Sequence, residues 1–207
     1  MKAFLLKICR KIYLFGKVSY EKSVISSLYK KGMIDSSVRF TLTANLQNLS
    51  NDLSSISIGK ESNIEGLILV HPFGGNIKIG EYCSLSIGSR IISTEKIIIG
   101  NRVLIAHNVN IIDNNSHPID ADMRHLDYKE SFSIGMQKHD LNGAPIIIED
   151  DVWIGHNTTI LKGVTIGKGA IIGACSVVTK NIAPWTVNVG NPLRVIKNLE
   201  KKIENNI

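Results

Sequence analysis

His117 stands where the regularity of this chain breaks. It closes the turn Asp113-Asn-Asn-Ser-His117-Pro118, after which a repeating pattern stops and does not resume for the 31 residues 113–143. Imidazole titrates near neutrality, so a histidine here can take a proton from a weakly acidic hydroxyl. Loops on a rigid scaffold are where function concentrates, and an excursion of this length out of a regular array is costly in chain entropy unless it serves a purpose. Either the Asp113 carboxylate, four residues upstream, or a carbonyl of the loop can orient the ring. A second marked residue is Trp153, in the last, outward place of its repeat. An exposed indole on a polar flank calls for a covering ligand or a neighbouring subunit.

The element that must carry both residues is a six-residue pulse. Ile148, Ile154, Ile160, Ile166, Ile172 and Val178 fall six apart, and Val152, Thr158, Val164, Ala170, Ser176 and the bulkier Ile182 follow four places after each. Ile79, Leu85 and Ile91, then Ile99, Ile105 and Ile111, repeat the pulse earlier, with Cys83, Ser89, Val103 and Val109 in the second inward place. Ile58 and Ile64 look like a worn first coil. A period of six fits neither an amphipathic helix nor an alternating strand, and stacked hexapeptide coils are a known solenoid signature. The expected organisation is an all-β solenoid, a parallel β-helix over 57–183 with the excursion 113–143. A basic helical or irregular segment, 1–56, precedes it, and a cap, 184–207, follows. Leu193, Ile196, Leu199 and Ile203 recur at helical spacing and predict a short C-terminal helix.

The net charge of +6 suggests a polyanionic partner until it is located. Residues 1–31 hold eight cations against the single anion Glu21, so the rest of the chain, with sixteen cations and seventeen anions, is one charge negative. No nucleic-acid partner is expected. Cys9, Cys83 and Cys175 have no metal-type pairing, which implies neither a disulfide framework nor a metal centre. No apolar run reaches the ~18 residues of a membrane span, and Lys7, Arg10 and Lys11 interrupt the N-terminus as a signal peptide. Secretion is not expected. Phe4, Ile8, Ile12 and Phe15 share a helical face, which packs on the solenoid or a sister subunit, or lies at an anionic membrane surface.

Other patterns fail. Gly167, Gly169 and Gly173 have the wrong last gap for a dinucleotide loop and lie within the hexads. His107 and His156 point outward and are expected to be solvated; a zinc-dependent hydratase would need a third histidine across the coils.

The segment Ile148-Glu-Asp-Asp-Val-Trp-Ile-Gly resembles the hexapeptide-repeat O-acetyltransferases, in the maltose, galactoside and polysaccharide branch. So do Leu161-Lys-Gly-Val-Thr-Ile-Gly, Ile172-Gly-Ala-Cys-Ser-Val-Val-Thr-Lys180 and Val189-Gly-Asn-Pro-Leu-Arg-Val-Ile196. The Asn-Ser-His-Pro turn and the Val-Trp-Ile-Gly restart are its most specific parts. This resemblance implies a left-handed coil, a homotrimer, and acetyl-CoA bound between neighbouring prisms with no metal required. It makes His117 the general base, sets Trp153 at the acetyl end of the groove, and places Ala174, Thr179, Lys180, Arg194 and Lys197 along the CoA path. The three cations suit the CoA phosphates, which Arg can grip in bidentate fashion.

Two departures qualify the resemblance. The acceptor-side asparagine of the galactoside and maltose enzymes has no counterpart in Gly88-Ser-Arg-Ile-Ile. The loop after His117 is longer and adds His125, Asp127, Tyr128, Lys129, Glu130 and His139. Both favour a larger saccharide, such as a bacterial surface polysaccharide or lipopolysaccharide precursor met in the cytoplasm, where residues 1–31 can contact the inner face of the membrane. The rival readings are acetylation of a small sugar or xenobiotic, and a non-catalytic scaffold.

Overall fold

The computed structural model describes residues 2–200, with side chains described from residue 14 onward. Three faces of short strands enclose a prism in a left-handed parallel β-helix. The first face stacks Met33–Ile34, Ile56–Ile58, Ile77–Ile79, Ile97–Ile99, Ile146–Ile148 and Thr165–Ile166. The second runs from Arg39–Phe40 through Leu104–Ile105, Trp153–Ile154 and Ile171–Ile172 to Thr186–Val189, and the third from Asn45–Asn48 to Val177–Val178. All pairings between coils are parallel, and the register Ile148↔Ile166 shows one coil every eighteen residues, three hexads to a turn.

The pulse forms this shape because each hexad supplies one inward aliphatic to one face. Three continuous ladders result. Ile58, Ile79, Ile99, Ile148 and Ile166 stack on the first face. Ile64, Leu85, Ile105, Ile154 and Ile172 stack on the second. Leu46, Ile68, Ile91, Ile111, Ile160 and Val178 stack on the third. All are buried, and β-branched side chains fill such flat, repeating layers well. The second inward place lies at a corner, where a small polar side chain can reach the next coil. Ser89 Oγ donates to the Ala106 carbonyl at 2.7 Å and Cys83 Sγ to that of Gly100 at 3.1 Å. The corners need left-handed backbone, adopted in successive coils by Glu61, Tyr82, Arg102, Asp151 and Gly169. At Gly169 the need for glycine is double, since a Cβ there would stand 2.3 Å from the Trp185 ring.

The structure corrects both expected ends of the solenoid. The coils begin at Met33, one full turn before residue 57, since Met33, Arg39 and Asn45 pair in register with Ser57, Asn63 and Leu67. That first coil hides its pulse behind polar residues at the outward places. The predicted C-terminal helix over Leu193, Ile196 and Leu199 is instead the strand Arg194–Asn198, antiparallel to Thr186–Val189. The open edge of the second face offers unpaired backbone groups, and pairing with it outweighs a helical spacing of only a few residues. Ile203 lies outside the described residues.

Helix α1, Lys2–Leu28, precedes the first coil. Leu28 is buried in the core and Ile25 packs against it. Tyr29 then meets Phe40 edge-on at 5.0 Å. Residues 14–20 are exposed, Phe15 to 79%, so over that stretch the apolar face does not pack on the solenoid. Phe4, Ile8 and Ile12 lie outside the described side chains.

Candidate active site

The excursion leaves the third face directly after the strand Asn110–Ile112. Asp113, the next residue, is fully buried. Its carboxylate accepts from the Ser93 hydroxyl at 2.6 Å, the backbone N–H of Thr94 at 2.9 Å and of Glu95 at 3.0 Å, and the Asn114 amide at 3.0 Å. Its carbonyl accepts from the Ala144 N–H at 2.8 Å, where the chain returns. One residue thus staples both ends of the loop to the coil below. A second rung, Asn115 N–H to the Leu141 carbonyl at 3.0 Å, continues the closure. Asn114 Oδ1 then receives the Ser116 N–H at 2.8 Å, and Ser116 turns through left-handed backbone. His117 emerges from this turn with its side chain 57% exposed.

Pro118 is buried, and Asp120 caps the helix that follows, α2, Ala121–Ser133. Its carboxylate accepts from the N–H groups of Asp122 at 3.1 Å and Met123 at 2.9 Å, a cap of about 1 kcal/mol. Asp127 and Glu130, three apart on α2, share a face. Asp127 is buried, and its Oδ2 lies 2.8 Å from Nδ1 of His117. Glu130 Oε2 lies 2.8 Å from Nε2 of the largely buried His139, which stands 3.9 Å from the other Asp127 oxygen. An ionised carboxylate only accepts, so Nδ1 of His117 carries the proton and Nε2 presents a lone pair to solvent. That arrangement can remove a proton from an incoming hydroxyl.

This geometry replaces both sequence-based expectations for what orients His117. Asp113 is consumed by the loop root, and the partner is Asp127, ten residues downstream. The signal was present but weak: Asp120 ahead of an acidic first turn marks a helix start, and a helix there puts Asp127 and Glu130 on one side.

The other expected site residues lie elsewhere on the prism. Trp153 projects from the second face, 51% exposed, and so is not on the face from which His117 leaves. It belongs to an outward row in register, Leu104, Trp153, Ile171, Val187 and Lys197. Three strand spacings of about 4.8 Å put Lys197 roughly 14 Å from Trp153. Arg194 sits opposite Val189 on the same hairpin. Ala174 lies exposed in the turn between Ile171–Ile172 and Val177–Val178, and Thr179 and Lys180 follow the latter, also exposed. His107 and His156 are exposed, and among the described residues no three His, Cys, Asp or Glu converge on a metal position.

The chain belongs to the hexapeptide-repeat acetyltransferase family. The family described as bacterial transferase hexapeptide (six repeats) matches residues 145–180. A putative acetyltransferase of Saccharomyces cerevisiae is 34% identical over 167 residues, 73% of this chain and 78% of that protein. A putative lipopolysaccharide biosynthesis O-acetyl transferase of Escherichia coli is 35% identical over 60% of this chain and 59% of its own length. A hexapeptide-repeat acetyltransferase of Vibrio cholerae, solved in complex with acetyl coenzyme A, superposes with a TM-score of 0.52 at 29% identity. That match covers 70% of this chain and 71% of the other. The chain spans little more than half the length of the first curated relatives it matches.

Proposed function

We propose that this protein transfers the acetyl group of acetyl-CoA to a saccharide hydroxyl, with His117 as the general base. The observation that carries this reading is the His117–Asp127 contact, which fixes one tautomer and leaves Nε2 exposed at a loop root. A sugar hydroxyl is a poor nucleophile at neutral pH, and a positioned imidazole typically contributes 10²–10⁴-fold by taking its proton. His117 can then return that proton to the leaving sulfur, so no covalent enzyme intermediate is required. Acetyl-CoA supplies the activated acyl group.

The outward row on the second face fits such a donor. Leu104, Trp153, Ile171 and Val187 offer an apolar track for the pantetheine arm, and Lys197 and Arg194, with Lys180, offer cations for the phosphates. Ala174 and Thr179 line the same end. Because Trp153 and His117 leave different faces, one chain does not assemble the site. Juxtaposing the two faces of neighbouring copies in a homotrimer does, and it would also cover exposed Ile119, Phe132 and Ile134 of the excursion.

The long excursion supports an extended acceptor, a precursor of a bacterial surface polysaccharide, as does the likeness to the lipopolysaccharide O-acetyl transferase. Acetyl-CoA is a cytoplasmic metabolite, which puts the reaction there, with residues 1–31 available for peripheral contact with the membrane. No helix among the described residues is long and apolar enough to cross it. Incubating the protein with labelled acetyl-CoA and fractionated glycan precursors tests the reading: label in an alkali-labile glycan ester supports it, and label confined to small xenobiotics or absent from every fraction overturns it.

A further inference from the structure

Helix α2 has no hydrophobic footing. Of its thirteen residues only Asp127 is buried, while Met123, Leu126 and Phe132 are exposed. A helix is ordinarily seated by an apolar face, and this one must be seated by polar contacts instead. The Asp120 cap and the Arg124 guanidinium, which donates to the Ile119 carbonyl at 2.9 Å, are local to its first turns. They shape the helix without fixing where it lies. Among the described residues, the side-chain bonds that tie α2 to more distant chain come from two histidines, His117 on Asp127 and His139 on Glu130.

The two histidines stand on opposite limbs of the excursion, His117 on the outgoing one and His139 on the return. The return limb is itself pinned to the coils just beyond His139. The Leu141 carbonyl accepts from Asn115 N–H at 3.0 Å, the Lys162 ammonium donates to the Asn142 carbonyl, and the Ala144 carbonyl accepts from Gly163 N–H at 3.1 Å. His139 is therefore placed by the solenoid and not by α2. Its Nε2 lies 2.8 Å from Glu130 Oε2, so that nitrogen carries a hydrogen, and its side chain is only 11% exposed, which leaves little water to compete for the bond. At 3.9 Å from Asp127 Oδ1 the same nitrogen is too distant for a hydrogen bond, so its hold on Asp127 runs through Glu130, three residues further along the same helix face.

We propose that His139 is a positioning residue: with Glu130 it sets the rotation and depth of α2, so that Asp127 meets Nδ1 of His117 and Nε2 is left free as the base. A reacting group is held to its productive geometry by a supporting layer whose own side chains are locked, and His139 is the member of that layer fixed to the coils. The proposal rests on the acetyl-transfer reading for what His117 does, though the state of the His117 ring can be read without turnover.

Nitrogen NMR of the full chain labelled at histidine, at a pH where the imidazole is neutral, tests it, with the His117 signals assigned from their loss in His117→Ala. Wild type should show the Nδ1–H tautomer, and His139→Ala a mixture of the two. His139→Gln, whose side-chain amide can still donate to Glu130, should restore the single tautomer. In steady-state acetyl transfer His139→Ala should lower kcat about ten- to a hundredfold with the KM for acetyl-CoA unchanged, and His139→Gln should recover most of the loss. In an Asp127→Asn background the same alanine should cost less than about twofold more, since both changes act through one contact. An unaltered His117 tautomer in His139→Ala, equal losses in the alanine and glutamine variants, or a full loss added to that of Asp127→Asn would each overturn the positioning role. A protein that shows the tautomer change but neither binds nor consumes acetyl-CoA would leave that role standing and remove the transfer reading.

Discussion

Asp127, buried on α2, holds Nδ1 of His117 at 2.8 Å while the rest of that imidazole faces solvent. An amide at 127 could donate to Nδ1 and would favour the wrong tautomer. Asp127→Asn is therefore expected to lower kcat by about 10²–10⁴, comparable to His117→Ala, with the KM for acetyl-CoA unchanged. Steady-state acetyl transfer at saturating acetyl-CoA measures this, and wild-type turnover by Asp127→Asn would deny the carboxylate its role.

Trp153 and Lys197 share one outward row, and the two should act on donor affinity and not on chemistry. Trp153→Ala and Lys197→Ala are each expected to raise the Kd for coenzyme A roughly tenfold, about 1.4 kcal/mol. Calorimetric titration reads this directly. Unchanged affinity in both variants would move the donor off the second face.

Asp113 is a structural anchor. Asp113→Ala leaves the N–H groups of Thr94 and Glu95 and the Ser93 hydroxyl without their acceptor in the interior. Loss of about 3–5 kcal/mol is expected, scored by urea unfolding. Amide exchange should show the greatest loss of protection at Thr94 and Glu95, whose acceptor the substitution removes.

The Arg102–Asp151 pair joins corners of adjacent coils through bonds of 2.6 and 2.9 Å. Those bonds, with some help from Lys168, hold the Asp151 carboxyl below the usual carboxylate range. A lowered folded value means that the stabilisation is complete above that range and is lost as the pH falls through it. Asp151→Asn should thus cost less than about 1 kcal/mol at pH 7, because the pair is largely exposed. Thermal melts of variant and wild type should converge under strongly acidic conditions.

The inward places Ile148 to Val178 were legible in the sequence because each obeys one local rule, an aliphatic every six residues. The coil at Met33 was not, because Arg39, Asn45 and their neighbours look outward and are ordered only by pairing with the coil above. The strand Arg194–Asn198 was hidden for a similar reason, since an open sheet edge recruits it and local spacing says helix. His117 could be read from its place at a break in the pattern. Asp127 could not, because its role depends on where α2 folds back, a long-range outcome that the nine intervening residues do not encode as a motif.

The double anchorage at Asp113 has a consequence for how such a protein can be altered. Because the insertion enters and leaves at one point, its length and content can change for a loop-closure cost that grows only with the logarithm of length. The row on the second face lies on other strands and would be untouched. Exchanging the remainder of the excursion as a cassette, with the turn 113–117, Asp127, Glu130, His139 and Ala144 kept, should retune which molecules are modified while leaving the source of the transferred group the same, a modularity written into the chain's connectivity.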